Sequence, residues 1–157
     1  MREELDKLLC EKYPKMFVNR NADMRETAMC WGFSHGDGWF SIIDALCSNI
    51  QHHIDWKNGQ RERLLKDNPY NQKIPDELPQ VVVDQVKEKF GTLRFYYHGG
   101  DDIIDGMVRM SESMSAVMCE TCGAPAKRRG YGWIYTACDT HTREEDLVEN
   151  ENDNREI

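Results

Sequence analysis

The chain has 157 residues, of which 39% are hydrophobic and 31% charged, and a formal net charge of −8, which suits one domain large enough to bury a core. No apolar run approaches the roughly 18 residues of a membrane helix, and the charged start Met1-Arg-Glu-Glu-Leu-Asp6 lacks the apolar centre of a secretion signal, so the expectation is a cytoplasmic protein without membrane contact. Asp139 to Ile157 hold eight acids against two arginines, −6 of the total −8; this excludes nucleic-acid binding through bulk charge while leaving local basic patches open.

Residues 2–13 suggest a short helix with Leu5, Leu8 and Leu9 on one face and acids in its first turn, ended by Pro14. A connector with a helical turn near Met24–Met29 leads to Cys30–Trp39, which packs three glycines and three aromatics into ten residues. Such a loop brings backbone close to something. It reads either as a ligand pocket with His35 and Asp37 as polar groups, or as a helix start capped by Asp37 and sealed by the aromatics, and the second reading is the simpler.

From Trp39 to about Trp56, Phe40, Ile43, Cys47, Ile50 and Ile54 fall at helical spacing, widened by Trp39, Ile42 and Leu46 into a face for burial. His52, His53 and Asp55 lie at its expected end, where histidines complement the helix dipole more often than they do chemistry. Residues 57–79 are polar, with prolines at 69, 75 and 79, and read as a connector with one short helix. Val81–Glu88 and Thr92–His98 alternate apolar and polar residues around Lys89-Phe90-Gly91, as a half-buried antiparallel hairpin does, with Val82, Val86, Leu93, Phe95 and Tyr97 inward. After Gly99-Gly100 comes a helix begun by Asp101 and Asp102, with the stripe Ile103, Met107, Met110, Met114 and Val117. Small Gly106, Ser113 and Ala116 allow a neighbour to approach it closely.

The strongest motif follows. Cys119-Glu-Thr-Cys122 and, fifteen residues on, Cys138-Asp-Thr-His141 have the spacing of two metal knuckles, a Cys3His set. Gly123 supplies the positive φ that a tight knuckle needs. Four protein ligands leave no open position, so the predicted role is structural Zn2+. A redox Cys-x-x-Cys leaves the second pair unexplained, and the His-x-Glu and Pro-Cys-x-x-Cys of a zinc deaminase are both missing. The remaining cysteines, Cys10, Cys30 and Cys47, sit among apolar residues and read as reduced thiols. Ala126–Arg129 and Trp133–Ala137 predict two short strands around Gly130-Tyr131-Gly132, completing a zinc ribbon. The predicted fold class is therefore α+β: a small antiparallel sheet or hairpin packed by helices over residues 1–118, a zinc ribbon over 119–142, and an acidic disordered tail over 143–157.

The run Val81–Tyr97, Gly99-Gly100-Asp101-Asp102 and the ribbon cysteines together resemble a family of small uncharacterised proteins of bacteriophage and prophage genomes, over roughly residues 30–142. The resemblance implies a phage origin, the cytoplasm of an infected bacterium and an accessory role. It implies no mechanism.

Three functional readings compete. Asp101, Asp102 and Asp105, with His98, Asp37 and His35, could form an acidic site for divalent-metal nuclease or phosphoesterase chemistry, although acids in a first helical turn equally serve as caps. Pro75-Asp76 with Gln85 and Lys87 is a weaker echo of a nuclease motif. Lys127, Arg128 and Arg129, interleaved with Tyr131, Trp133 and Tyr135, could stack bases and meet phosphates, or the basic run could pair with the acidic tail beside it. The favoured expectation is a non-enzymatic protein that binds a host protein, including as an inhibitor of a host defence or metabolic system.

Overall fold

The computed structural model describes residues 1–146; the acidic tail expected beyond Asp146 lies outside the described residues. Three α-helices, α1 (Glu3–Lys12), α2 (Phe40–Lys66) and α3 (Asp102–Ser115), surround a three-stranded sheet of β1 (Phe33–Ser34), β2 (Val82–Lys89) and β3 (Thr92–His98). A second, two-stranded sheet, β4 (Lys127–Arg129) and β5 (Tyr135–Ala137), forms the ribbon. The class is α+β, as expected. No helix among the described residues is long and apolar enough to cross a membrane.

α1 carries Glu3, Glu4 and Asp6 in its first turn and Lys12 in its last, complementing the dipole. Leu9 is its buried anchor, whereas Leu8 is 47% exposed. The place expected for a leucine stripe is partly taken by Asp6, which is buried in an ion pair: Arg20 Nη2 lies 2.9 Å from Asp6 Oδ2, and Arg20 Nη1 donates to Cys30 O. This pair ties the irregular connector to α1, and a period count of apolar residues cannot see it.

β2 and β3 pair antiparallel as predicted, joined by the two-residue loop Phe90-Gly91. Both loop residues have positive φ, 53° and 77°, which matches the hand of twist of a two-residue hairpin. The inward set differs by one position. A register shift between Val83 and Gln85 lets Val83 and Val86 both face the core, where simple alternation predicts Val82 and Val86. β1 is too short to show a period and adds a parallel edge, Phe33 opposite Val86.

α2 runs on to Lys66, well past Trp56, because nothing stops it before Asn68-Pro69. Its second half is not idle: Asn58 clasps the backbone of Leu78 through both amide atoms, at 2.9 and 2.8 Å, and Arg61 donates to Pro75 O. His53 therefore sits mid-helix, not at a C-terminus.

α3 buries a different face from the one its apolar residues suggest. Ile104, Val108, Ser111 and Ser115 are buried, while Ile103, Met110, Met114 and Val117 are 44–63% exposed. The physical reason is the open edge of β3. Ser115 Oγ accepts from Leu93 N at 2.8 Å and Glu112 Oε1 accepts from Phe95 N at 3.0 Å. Edge-strand N–H groups in the interior must find acceptors, so a polar face wins over a greasier one. The main core joins Leu9, Met16, Met29, Trp39, Ile43, Ile50, Val86 and Leu93 with their neighbours, and the ribbon has its own small cluster around Cys119, Tyr135 and Ala137.

Candidate metal centre and its surroundings

Two tight turns bring the ribbon's donors together. In the first, Gly123 N donates to Cys119 O at 2.8 Å, and Gly123 adopts the expected positive φ of 79°. In the second, His141 N donates to Cys138 O at 3.1 Å within a single 3-10 turn. The Sγ atoms of Cys119, Cys122 and Cys138 and Nδ1 of His141 all lie within 4.8 Å of one another. Three of the six edges of this tetrad are 3.8 Å for Cys122 Sγ to Cys138 Sγ, 3.7 Å for Cys119 Sγ to His141 Nδ1 and 3.2 Å for Cys138 Sγ to His141 Nδ1. A tetrahedral ion with metal–sulfur bonds of about 2.3 Å and metal–nitrogen bonds of about 2.0 Å has edges of about 3.5–3.8 Å. These four residues could hold a metal ion, and they are the one such group found among the described residues. Burial pushes the Cys119 thiol up, yet the backbone N–H groups of Cys138, Cys122 and Thr121 outweigh it and bring it down to about 6; the thiolate form that a metal requires is already favoured.

The Gly-rich loop turns out to be the cradle of this centre. Gly38 N donates to Glu120 O at 2.7 Å, Gly36 N donates to Glu120 Oε1 at 2.9 Å, and Trp39 Nε1 donates to Met118 O at 2.9 Å. A Cβ on Gly38 would lie 2.1 Å from Cys119 O and one on Gly36 would lie 2.4 Å from Glu120 O. What the glycines bring close is the first metal knuckle. On the other side Thr136 Oγ1 donates to Gly91 O in the β2–β3 loop, and Arg128 Nη2 donates to Phe90 O at 2.8 Å. The ribbon is clamped between the start of α2 and the tip of the main hairpin.

Five of the six residues of the acidic alternative are engaged separately, and the sixth, Asp102, is exposed. His35 is buried, with Nδ1 2.7 Å from Gly36 O and Nε2 without a partner, and burial lowers its pKa to about 4. Asp37 does not cap a helix; it takes the backbone N–H and Nε of Arg2. His98 pairs with Asp84 at 3.0 Å. Asp101 is the N-cap of α3, accepting from Ile104 N at 3.1 Å, and it also meets His53 Nε2 at 2.9 Å. Tyr97 donates its hydroxyl to Asp105, and Asp102 is exposed in the first turn of α3. These contacts distribute the acids among capping and pairing duties, and His53, set aside as a helix-end residue, becomes the partner of one of them.

The basic and aromatic run is likewise divided. Arg129 is turned inward, its side chain 6% exposed, with Nε on Ala137 O and an ion pair to Asp139. Tyr135 is buried, its hydroxyl given to Asp146 and its ring covered by the Arg143 guanidinium at 4.2 Å. Both leave the candidate binding face, and the acid that Arg129 meets belongs to the ribbon itself and not to the tail over 143–157. Lys127 and Arg128 are exposed, and Tyr131 and Trp133 are 83% and 68% exposed at the hairpin tip. Comparison of the chain with protein-family models, with curated proteins and with solved structures yields no match.

Proposed function

We propose that this chain is a non-enzymatic accessory protein that binds a macromolecular partner through its ribbon, with structural zinc as the clamp. Three thiolates and one imidazole in a tetrahedral arrangement suit zinc, and zinc filled by four protein donors contributes cross-linking without an open position for substrate. The observation that carries the binding reading is the hairpin tip. Tyr131 and Trp133 are left largely in solvent at the tip, on a hairpin whose base is braced by the metal donors and by Arg129. Exposed aromatic side chains on a rigid support are the usual anchors of protein interfaces. The phage resemblance supports a host protein as the partner, and the cytoplasm of an infected cell as the place where they meet. The divalent-metal hydrolase is the weaker reading, because Asp101 and Asp105 already serve His53, the α3 N-terminus and Tyr97.

The test compares proteins retained from a bacterial lysate by the zinc-loaded chain and by a Tyr131→Ala/Trp133→Ala variant. A specific partner that the double variant loses, at unchanged zinc content and circular dichroism, supports the reading. Equal retention by both proteins, or Mg2+-dependent cleavage of nucleic acid abolished by Asp102→Ala, overturns it.

A further inference from the structure

A groove of about 840 Å3 separates the ribbon from α3 and the tip of the β2–β3 hairpin, and none of its basic residues except Arg128 belongs to the run that the sequence brings to notice. Its walls carry Arg94 from β3, Arg109 from α3 and Arg128 from β4. None of the three forms an ion pair among the described residues. In a chain with 28 acids against 20 lysines and arginines, three arginines lining one groove without an ion pair are a local reversal of the charge balance. The single acid on the walls, Glu112, has Oε1 committed to Phe95 N. Arg94 and Arg128 are held in place by backbone and hydroxyl oxygens, Arg94 Nη1 on Leu93 O and Thr92 Oγ1 at 2.7 Å each and Arg128 Nη2 on Phe90 O at 2.8 Å. These bonds leave the remaining N–H donors of each fork available for an anion.

The second observation is Phe90. It occupies the first position of the two-residue hairpin loop at φ 53°, a left-handed conformation that glycine, asparagine and aspartate adopt with far less strain. The residue is nevertheless 63% exposed, with Lys89 Nζ 5.5 Å from the ring centroid. Neighbours hold the strained turn: Gly91 N donates to Glu88 Oε1 at 2.6 Å, and Phe90 O accepts from Arg128. A bulky aromatic kept in a costly backbone conformation and pointed at solvent on the lip of a cationic groove marks a contact surface.

We propose that this groove binds single-stranded nucleic acid, with Arg94, Arg109 and Arg128 taking backbone phosphates and the ring of Phe90 stacking on a base. Phosphates match planar guanidinium forks, and a base offers the flat face that an exposed phenyl ring and the apolar wall at Ile134 can cover. An acidic peptide supplies the charge without the flat face. A duplex keeps its bases stacked on each other and denies Phe90 a partner. The site does not rest on the reading of the hairpin tip: Tyr131 and Trp133 do not line the groove.

The test is fluorescence anisotropy of a labelled single-stranded oligonucleotide, titrated with the zinc-loaded full chain. Binding is expected at about 50 mM salt and should weaken steeply towards about 200 mM. The Arg94→Ala/Arg109→Ala variant should bind at least about tenfold more weakly, with its salt slope reduced by about 1.4 for two lost phosphate contacts. Phe90→Gly, which suits the positive φ of the loop, should keep the fold and weaken binding about tenfold through lost stacking. A charge-matched Lys7→Ala/Lys73→Ala control, on residues away from the groove, should bind as wild type does. The proposal is overturned by absence of binding at low salt, or by a Phe90→Gly variant that binds as tightly as wild type. Equal affinity for a duplex, or displacement of the strand by polyglutamate as readily as by unlabelled strand, also overturns it.

Discussion

Gly38 shows how a single residue can couple two parts of this molecule. Its missing side chain leaves room for Cys119 O and Gly123 N, which a Cβ would approach to 2.1 and 2.5 Å. Both belong to backbone that cannot move without distorting the first metal knuckle. Gly38→Ala should therefore lower zinc affinity as well as stability, although it touches no ligand; zinc competition with a chromogenic chelator, run beside a melting curve, checks both. Asp101 works by a different route, as an N-cap whose carboxylate also meets His53. Asp101→Ala should cost about 1–2 kcal/mol in chemical denaturation, the range for a lost cap, while Asp102→Ala, on an exposed residue, should stay within about 0.5 kcal/mol. His35 introduces a pH dependence. Burial lowers its pKa to about 4 against about 6.5 in an unfolded chain. Between those values the unfolded chain binds a proton that the folded chain refuses, so stability is present above about pH 6.5 and is lost as pH falls toward 4. His35→Phe should flatten this part of the stability profile relative to wild type, measured at constant zinc occupancy.

At the scale of elements, α3 separates hydrophobic pattern from hydrophobic burial. Its methionine stripe is the more regular of its two apolar faces, yet Met110 is 62% exposed and Ile104 fully buried. The choice is made by the β3 edge, whose N–H groups need Ser115 and Glu112. Ile104→Ala should cost about 2–4 kcal/mol and Met110→Ala less than about 0.5 kcal/mol by urea denaturation, the reverse of the order expected from the stripe. α2 teaches the complementary lesson. Its start and its core face, Ile43, Cys47, Ile50 and Ile54, follow from spacing, but what its second half does, holding a segment some twenty residues downstream through Asn58 and Leu78, does not.

Among the described residues the molecule is a helix-flanked sheet with a small ribbon clamped at one end, and the ribbon has almost no core of its own: its buried hydrophobic cluster is Cys119, Tyr135 and Ala137. Small metal modules of this kind draw about 10–16 kcal/mol of apparent stabilisation from the ion. Cys119→Ser or Cys138→Ser should therefore lose zinc and unfold the ribbon, seen as loss of about one zinc per chain by mass spectrometry and as early exposure of the C-terminal third to protease. An unchanged melting curve after full metal loss would refute a structural role. The two knuckles, the main hairpin, the three helices and the α+β class were legible from the residues alone. Each depends on short-range spacing, and spacing survives in a linear text: two residues between cysteines, a period of two in β2 and β3, helical periodicity in α2. What only the tertiary structure decided is which polar groups meet. Asp6 finds Arg20, Asp101 finds His53, Glu120 finds the glycines of the loop before α2, and Arg94, Arg109 and Arg128 come together from three separate elements. Those partners lie 14 to 84 residues apart for the bonded pairs. Electrostatics and hydrogen bonding act through space, so the chain must fold before such partners exist.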